Sequence, residues 1–334
     1  MLDNIPLVCK RWNALAGDPG AWRGVRLVVD VGSDSHMDAL RVLLHAPALR
    51  RLTVQCDCWR LRVAVTARRQ RAQLESTLRR SRAAVTEVHL HSLCCAATLP
   101  FLLQTRRHVS LLHLNVLEHA EADRGNGILF GVPGVLNQLS SLQYLQLHFC
   151  LSAPLSYNGE LKDKLQSLHG LHFEVYGVDC PQLTSLVLDV VSGASRSLRY
   201  LYLNWRSLPN NPLPSVLEES IALCSGLTVL TISMLSAGVV RHMAQLKKLL
   251  LHLLPTWGLS AETVLKTVHI LGSCQVLPAL EALAITAMPK REYQLRPIEQ
   301  LIKAVLRLSP NATLIRFTLS PDFWAQSLVS DAYV

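Results

Sequence analysis

One six-residue pattern, Φ-x-x-Φ-x-Φ with Φ apolar, recurs along most of this 334-residue chain and limits what it can fold into. It reads LRRLTV from Leu49, VTEVHL from Val85, VSLLHL from Val109, LQYLQL from Leu142 and LHGLHF from Leu168. It continues as LTSLVL from Leu183, LRYLYL from Leu198, LTVLTI from Leu227, LKKLLL from Leu246, LEALAI from Leu280 and LIRFTL from Leu314. Leu168 and Leu183 lie too close for two full units, so the span from Leu49 to Leu314 divides into nine intervals of about 29 residues. Leucine supplies 65 of the residues, enough for a few chance matches but not for eleven in register. In an extended x-Φ-x-Φ segment the leucines point to one side and the x residues to the other. No such strand buries its apolar side alone, so neighbours of the same kind must stack beside it.

Helix-like stretches lie between the strand segments, among them Pro214–Cys224 and Ile298–Leu308. In the second, Ile298, Leu301, Ile302, Val305 and Leu308 fall on one helical face. Several units open on a small residue and a turn former: Cys180-Pro181-Gln182-Leu183, Cys224-Ser225-Gly226-Leu227, and more loosely Ala46-Pro47-Ala48-Leu49 and Leu277-Pro278-Ala279-Leu280. These features resemble the cysteine-containing subclass of leucine-rich repeats. The expected fold is therefore α/β, a leucine-rich-repeat solenoid of about ten irregular repeats over residues 25–334, with parallel strands on a concave face and helices outside. The 15-residue step from Leu183 to Leu198, and the spacing after Leu246, read as shortened repeats. Length alone suggests two domains, but a stacked array outgrows that prior.

The first residues carry a second signature. Ile5-Pro6-Leu7-Val8-Cys9-Lys10-Arg11-Trp12-Asn13-Ala14-Leu15 leads through Asp18-Pro19 to Trp22. Leu7, Val8, Trp12 and Leu15 make an apolar helical stripe, and Asp18-Pro19 is expected to stop that helix and turn the chain toward Trp22 and a first strand, Val25–Val29. Val-Cys-Lys-Arg-Trp followed by Asp-Pro-x-x-Trp resembles the C-terminal half of an F-box, here over residues 1–24. The Leu-Pro opening and first helices of that family do not precede it, and Ala21 stands where a leucine is usual. Either the chain is part of a longer protein, the reading preferred here, or it binds its adaptor weakly or not at all.

The combined resemblance, F-box plus leucine-rich repeats, implies the substrate-recognition subunit of a Skp–cullin–F-box ubiquitin ligase. Pro6, Leu7, Val8, Cys9, Trp12, Leu15 and Trp22 would dock to the Skp adaptor, and the solenoid would hold an unidentified target protein for ubiquitination. The chain itself would be a non-catalytic tether, raising the effective concentration of target lysines near the charged enzyme. The alternative is a leucine-rich-repeat scaffold or inhibitor-type protein-binding module that engages no ligase.

On this geometry the outward x positions form the target surface: His89, His113, Tyr144, Gln146, His148, His172, Tyr200, Tyr202 and Asn204, with Trp205 beside them. His91, Glu174 and Asp189 belong to the same outward set. His, Tyr, Asn and Gln with few charges suit a protein interface, although any solenoid places polar residues there whether or not it binds anything. Tyr200, Tyr202 and Trp205 are expected to form an exposed aromatic cluster.

Other chemistries fit less well. His89-Leu90-His91, with His113 and Cys94-Cys95, invites a metal reading, since i and i+2 on a strand share a face. Without a Cys-x-x-Cys pair or an H-E-x-x-H helix, these histidines are read as structural or partner-facing, with no metal and no cofactor. There is no Gly-rich phosphate loop, no G-x-S-x-G elbow and no paired carboxylate motif, so an enzyme is not expected. The net charge of +9 arises in residues 1–110, which hold 17 basic and 8 acidic side chains; residues 111–334 hold 16 of each. Eight arginines between Arg60 and Arg82 face one acid, Glu75. They read as the solvated face of a helix whose Ala67, Leu74 and Leu78 turn inward, and without interleaved aromatics nucleic acid is not the expected partner. No stretch reaches the roughly 18–20 apolar residues of a membrane span. Nine scattered cysteines and no secretory signal point to reduced thiols in cytoplasm or nucleus.

Overall fold

The computed structural model describes residues 10–56, 64–91, 108–117, 136, 138–151, 161, 165–177, 181–205, 215–253, 261–274, 277–287, 295–308 and 310–319. The architecture is α/β, and the strand pairs within each of two compact units, Met1–Ala194 and Ser195–Val334, are parallel.

The first unit opens with two short helices, α1 (Lys10–Gly17) and α2 (Pro19–Trp22). Strand β1 (Arg26–Val31), helix α3 (His36–His45), strand β2 (Ala48–Cys56) and helix α4 (Ala64–Arg80) follow. Strands β3 (Ala84–His91), β4 (Leu111–Leu117), β5 (Tyr144–Leu151) and β6 (Gly170–Gly177) come next, then helix α5 (Pro181–Gly193). Strands β1 to β6 lie side by side in chain order. The alternation in the sequence becomes two in-register inward rows. Leu27, Leu52, Val88, Leu112, Leu145 and Leu171 form one, and Val29, Val54, Leu90, Leu114, Leu147 and Phe173 the other. All of them are buried. At about 1.5–3 kcal/mol for each large apolar side chain removed from water, these rows dominate the stability of the sheet.

Parallel neighbours need crossovers, and α3 and α4 supply two. Helix α3 buries Ala39, Leu40 and Leu43, and α4 buries Leu74 and Leu78. Polar anchors fix them. Ser81 Oγ, just past α4, donates to the Leu43 carbonyl at 2.7 Å, and His36 Nε2 lies 3.0 Å from the Gln70 carbonyl. Gly32 ends β1 at φ 108°, a left-handed conformation that glycine adopts without strain, and its N–H donates to the Gln70 side chain.

The second unit contains β7 (Tyr200–Trp205), α6 (Ser215–Ala222), β8 (Val229–Ser233), a 3-10 helix (Met234–His242) and β9 (Lys248–Leu253). It ends with α7 (Ala261–Gly272), β10 (Ala282–Ala287), α8 (Leu295–Leu308) and β11 (Leu314–Leu319). Leu201, Leu230, Leu249 and Leu283 form its in-register inward row. Leu301, Ala304, Val305 and Leu308 are the buried stripe of α8. The step from Leu227 to Leu246 is only 19 residues, and there the 3-10 helix replaces an α-helix. Its roughly 2.0 Å rise per residue crosses the sheet with fewer residues than the α-helical 1.5 Å would need.

Three expectations are corrected. Leu183-Thr184-Ser185-Leu186 belongs to α5, not to a strand, so the 15-residue step to Leu198 is not a shortened repeat and Asp189 is a helical residue. Leu183, Leu186, Val187, Val190 and Val191 are buried at helical spacing; the six-residue template accepts such a helix because i, i+3 is common to both patterns. In β11, Leu314 pairs with Ala282 and is 58% exposed, so the expected LIRFTL register is displaced by two residues and Ile315 takes the place in line with Leu283. Strand β1 runs Arg26–Val31, one residue later than Val25 at its start and two beyond Val29 at its end.

Candidate functional site

On the face of β3–β6 opposite the inward rows, register aligns two outward rows. One is His89, His113, Gln146 and His172, and the other His91, Asn115, His148 and Glu174. Alternation forces His89 and His91 to the same side of β3, and parallel pairing places His113 directly beside His89. His89 Nδ1 and His113 Nδ1 are 3.2 Å apart. The His91 and His113 ring centres lie 5.2 Å apart, those of His113 and His148 5.0 Å, and those of His148 and His172 4.8 Å. Five imidazoles thus run edge to edge or stacked across four strands.

Glu174 closes the far end. Its Oε2 lies 3.3 Å from His148 Nδ1 and 3.9 Å from His172 Nε2. At the near end, Glu87 Oε2 accepts from Arg51 Nε at 2.7 Å and its Oε1 from Arg50 Nε at 3.1 Å. Burial works to raise the Glu87 carboxyl, but the two guanidiniums outweigh it and the net displacement is downward. The histidines are also displaced downward, which for a base disfavours the charged form. Burial first, then neighbouring imidazoles, pushes His113 down to about 2; burial and the Arg51 charge push His89 down to about 4. Burial and His172 push His148 down to about 4, and burial alone lowers His91. At neutral pH these four rings are uncharged, and each keeps one ring nitrogen unprotonated.

Two sets of three ligand atoms come together here: His89, His91 and His113 in one, and His148, His172 and Glu174 in the other, with the atoms of each set within 4.8 Å of one another. His89, His91 and His113 are half-buried, and His172 and Glu174 are buried. Each ring of the first set has one role the sequence could assign, its face of the strand, and one it could not, its neighbour across the sheet. Asn115 lies on the outward side of β4, where alternation from the sequence places it; its Oδ1 is buried and makes no hydrogen bond. Register adds that it stands opposite His91.

Tyr144 and Gln146 are half-buried in β5, on the outward side as expected. In the second unit Tyr200 is half-buried, but Tyr202 is only 6% exposed and Asn204 1%, and Asn204 Nδ2 donates to the Tyr202 hydroxyl at 3.2 Å. The expected exposed aromatic cluster therefore does not form at Tyr202; the side chain of Trp205 lies outside the described residues.

At the N-terminal end, Pro6, Leu7, Val8 and Cys9 lie outside the described residues, as does the side chain of Trp12, whose backbone belongs to α1. Leu15 is on α1 and 44% exposed. Asp18-Pro19 ends α1 as expected, but it also starts α2: Asp18 Oδ1 accepts from the Gly20 N–H at 2.8 Å, with Pro19 in the first turn. Trp22 is half-buried and its Nε1 donates to the Ala16 carbonyl at 3.0 Å, clamping α2 back onto α1. Along α4, Arg69, Arg79 and Arg80 are exposed while Leu74 and Leu78 are buried; Arg60 and Arg62, and the side chains of Ala67 and Arg68, lie outside the described residues. Among the described residues no helix is long and apolar enough to cross a membrane.

The class these elements define is an α/β protein with parallel strands and a histidine-lined sheet face. In comparisons with protein-family models and with curated proteins, nothing matches the chain.

Proposed function

We propose that the chain is a leucine-rich-repeat solenoid serving as the substrate-recognition subunit of a Skp–cullin–F-box ubiquitin ligase. The observation that carries this reading is the segment Val8–Trp22. Its Val-Cys-Lys-Arg-Trp and Asp-Pro-x-x-Trp motifs resemble an F-box, and the second motif caps a short helix that the Trp22 indole ties to Ala16. Parallel strands with apolar inner rows follow within four residues. On this reading the helical segment holds the Skp adaptor, and the outward rows, with His89, His113, Tyr144, Gln146, His148 and His172, hold a target protein. The chain performs no chemistry of its own. It shortens the search of a charged conjugating enzyme for target lysines by fixing both in one assembly.

The test is capture of purified Skp adaptor by the full-length protein, with any residues encoded ahead of Met1 included. Stoichiometric binding that weakens at least tenfold with Trp22→Ala supports the reading. No binding by the folded protein ends it, and the chain is then a protein-binding scaffold without a ligase.

A further inference from the structure

The histidines of β3 and β4 have an arrangement that target binding does not require. His89 Nδ1 and His113 Nδ1 face each other at 3.2 Å. Such a contact holds one proton at most, so one ring donates and the other accepts. The Nε2 atoms of both rings are buried and make no hydrogen bond. The accepting ring must then carry its proton on a buried Nε2 with no acceptor. Nearby, Asn115 Oδ1 is an acceptor without a donor. Hydrogen bonding among these groups leaves the cluster incomplete.

A cation between the two Nδ1 atoms takes both lone pairs and leaves each ring its proton on Nε2, where an acceptor is required. We propose that His89, His91 and His113 bind a divalent transition-metal ion, zinc foremost, on the outward face of β3 and β4. Ligands at 2.0–2.1 Å from a tetrahedral zinc are separated by roughly 3.3 Å. The His89–His113 nitrogens already stand at 3.2 Å, and the third nitrogen of the set is within 4.8 Å, a gap that side-chain rotation closes. His89 and His91 share one strand face, and His113 sits on the adjoining strand in register with His89, so backbone geometry fixes all three. Three neutral imidazoles favour zinc, copper or nickel over magnesium or calcium, which prefer oxygen. Asn115, placed opposite His91, is suited to accept from a ring N–H and hold its orientation. Three protein ligands leave one position for water or for a side chain of a bound molecule. The sequence lacked a metal motif because the spacing that matters runs across strands, where 24 residues separate His89 from His113.

The inference is independent of the ligase reading, since metal binding is measured on the chain alone and adaptor capture separately. Chelator-treated full-length protein is titrated with Zn2+ by calorimetry, and with Co2+ by its visible absorption bands. Saturable binding is expected, weakened at least about tenfold by His91→Gln and by His113→Gln and unchanged by Lys303→Gln. Circular dichroism checks that each variant folds. X-ray absorption of the zinc-loaded unmodified protein gives a readout that needs no variant: a nitrogen and oxygen shell with imidazole scattering and no sulfur. Absence of saturable binding, sulfur in the shell, or binding that survives both glutamine variants in folded protein would overturn the assignment.

Discussion

The two units share their inner chemistry and differ in their outer chemistry. Leu52, Val88, Leu112, Leu145 and Leu171 line the inner side of β2–β6, and Leu201, Leu230, Leu249 and Leu283 do the same for β7–β10. The matching outward rows are His89, His113, Gln146, His172 in the first unit and Tyr202, Thr231, Leu250, Ala284, Arg316 in the second. Packing leaves little choice on one side of a strand, whereas the other side accepts any side chain that solvent or a ligand will satisfy. Function in such a sheet is written on the outward rows, and the first unit has by far the more specialised text.

The largest effects should come from the side the units share. Phe173→Ala is expected to cost about 3–5 kcal/mol and Leu230→Ala about 2–5 kcal/mol, because both side chains are fully buried and leave a cavity. Thr53→Ala, on the outward side of β2, should cost under about 1 kcal/mol. Equilibrium urea unfolding measures all three. The comparison breaks if the outward substitution proves as costly as the inward ones.

A second contrast is in pH. In the first unit burial lowers His36, with the Gln70 and Asp30 backbone contacts opposing it only in part, and Glu87 is lowered on balance by its two arginines. Both folded values lie below the ordinary ones, so the folded state binds fewer protons than the unfolded chain. Their stability is present at neutral pH and is lost as pH falls, below 6.5 for His36 and below 4.5 for Glu87. In the second unit burial raises Glu218 and pushes the Cys224 thiol up to about 12, while Cys274 is raised by burial against the opposing Arg241. Raised values contribute stability at low pH and lose it as pH rises: for Glu218 above 4.5, for the thiols above 9.0. Hydrogen exchange of peptides from each unit, corrected for intrinsic rates, should show the first unit opening in acid and the second in alkali. The same direction in both would remove the contrast. Glu87→Gln should lower stability by about 1–2 kcal/mol at neutral pH, since it leaves two guanidiniums without a charged partner, and by much less at low pH.

Much of the sheet was legible because period-two alternation is a direct consequence of strand geometry. The segments starting at Leu49, Val85, Val109, Leu142, Leu168, Leu198, Leu227, Leu246 and Leu280 all run into strands. The failures have local causes. Leu183 opens a helix whose buried spacing imitates the pattern, and β1 escaped it because Gly24 stands where the first leucine would be, as the pairing of Leu27 with Leu52 shows. The histidine face was half legible: each ring's side of its strand follows from sequence, but the 3.2 Å meeting of His89 and His113 depends on register across a 24-residue separation. Burial of Tyr202 and Asn204 was not readable, because outward position does not by itself fix exposure.

The helices extend the contrast between sides of an element to a smaller scale. On α3, Leu43 is fully buried and its carbonyl accepts from Ser81 Oγ at 2.7 Å. Ser81→Ala should cost about 1–2 kcal/mol, because the Ala83 N–H that its hydroxyl accepts also loses a partner. On the outer face of α4, Arg71 Nε meets Glu75 Oε1 at 3.1 Å, with side chains 39% and 22% exposed. Arginine precedes glutamate here, the weaker order for an i, i+4 pair, and solvent screens it. Glu75→Gln should therefore change stability by less than about 0.5 kcal/mol, although it removes the one acid between Arg60 and Arg82. Unfolding in low and moderate salt checks this. A loss above about 1 kcal/mol, shrinking with salt, would mean that the arginines of α4 strain against one another and that Glu75 holds them in place. A negligible change at both ionic strengths fits a solvated face.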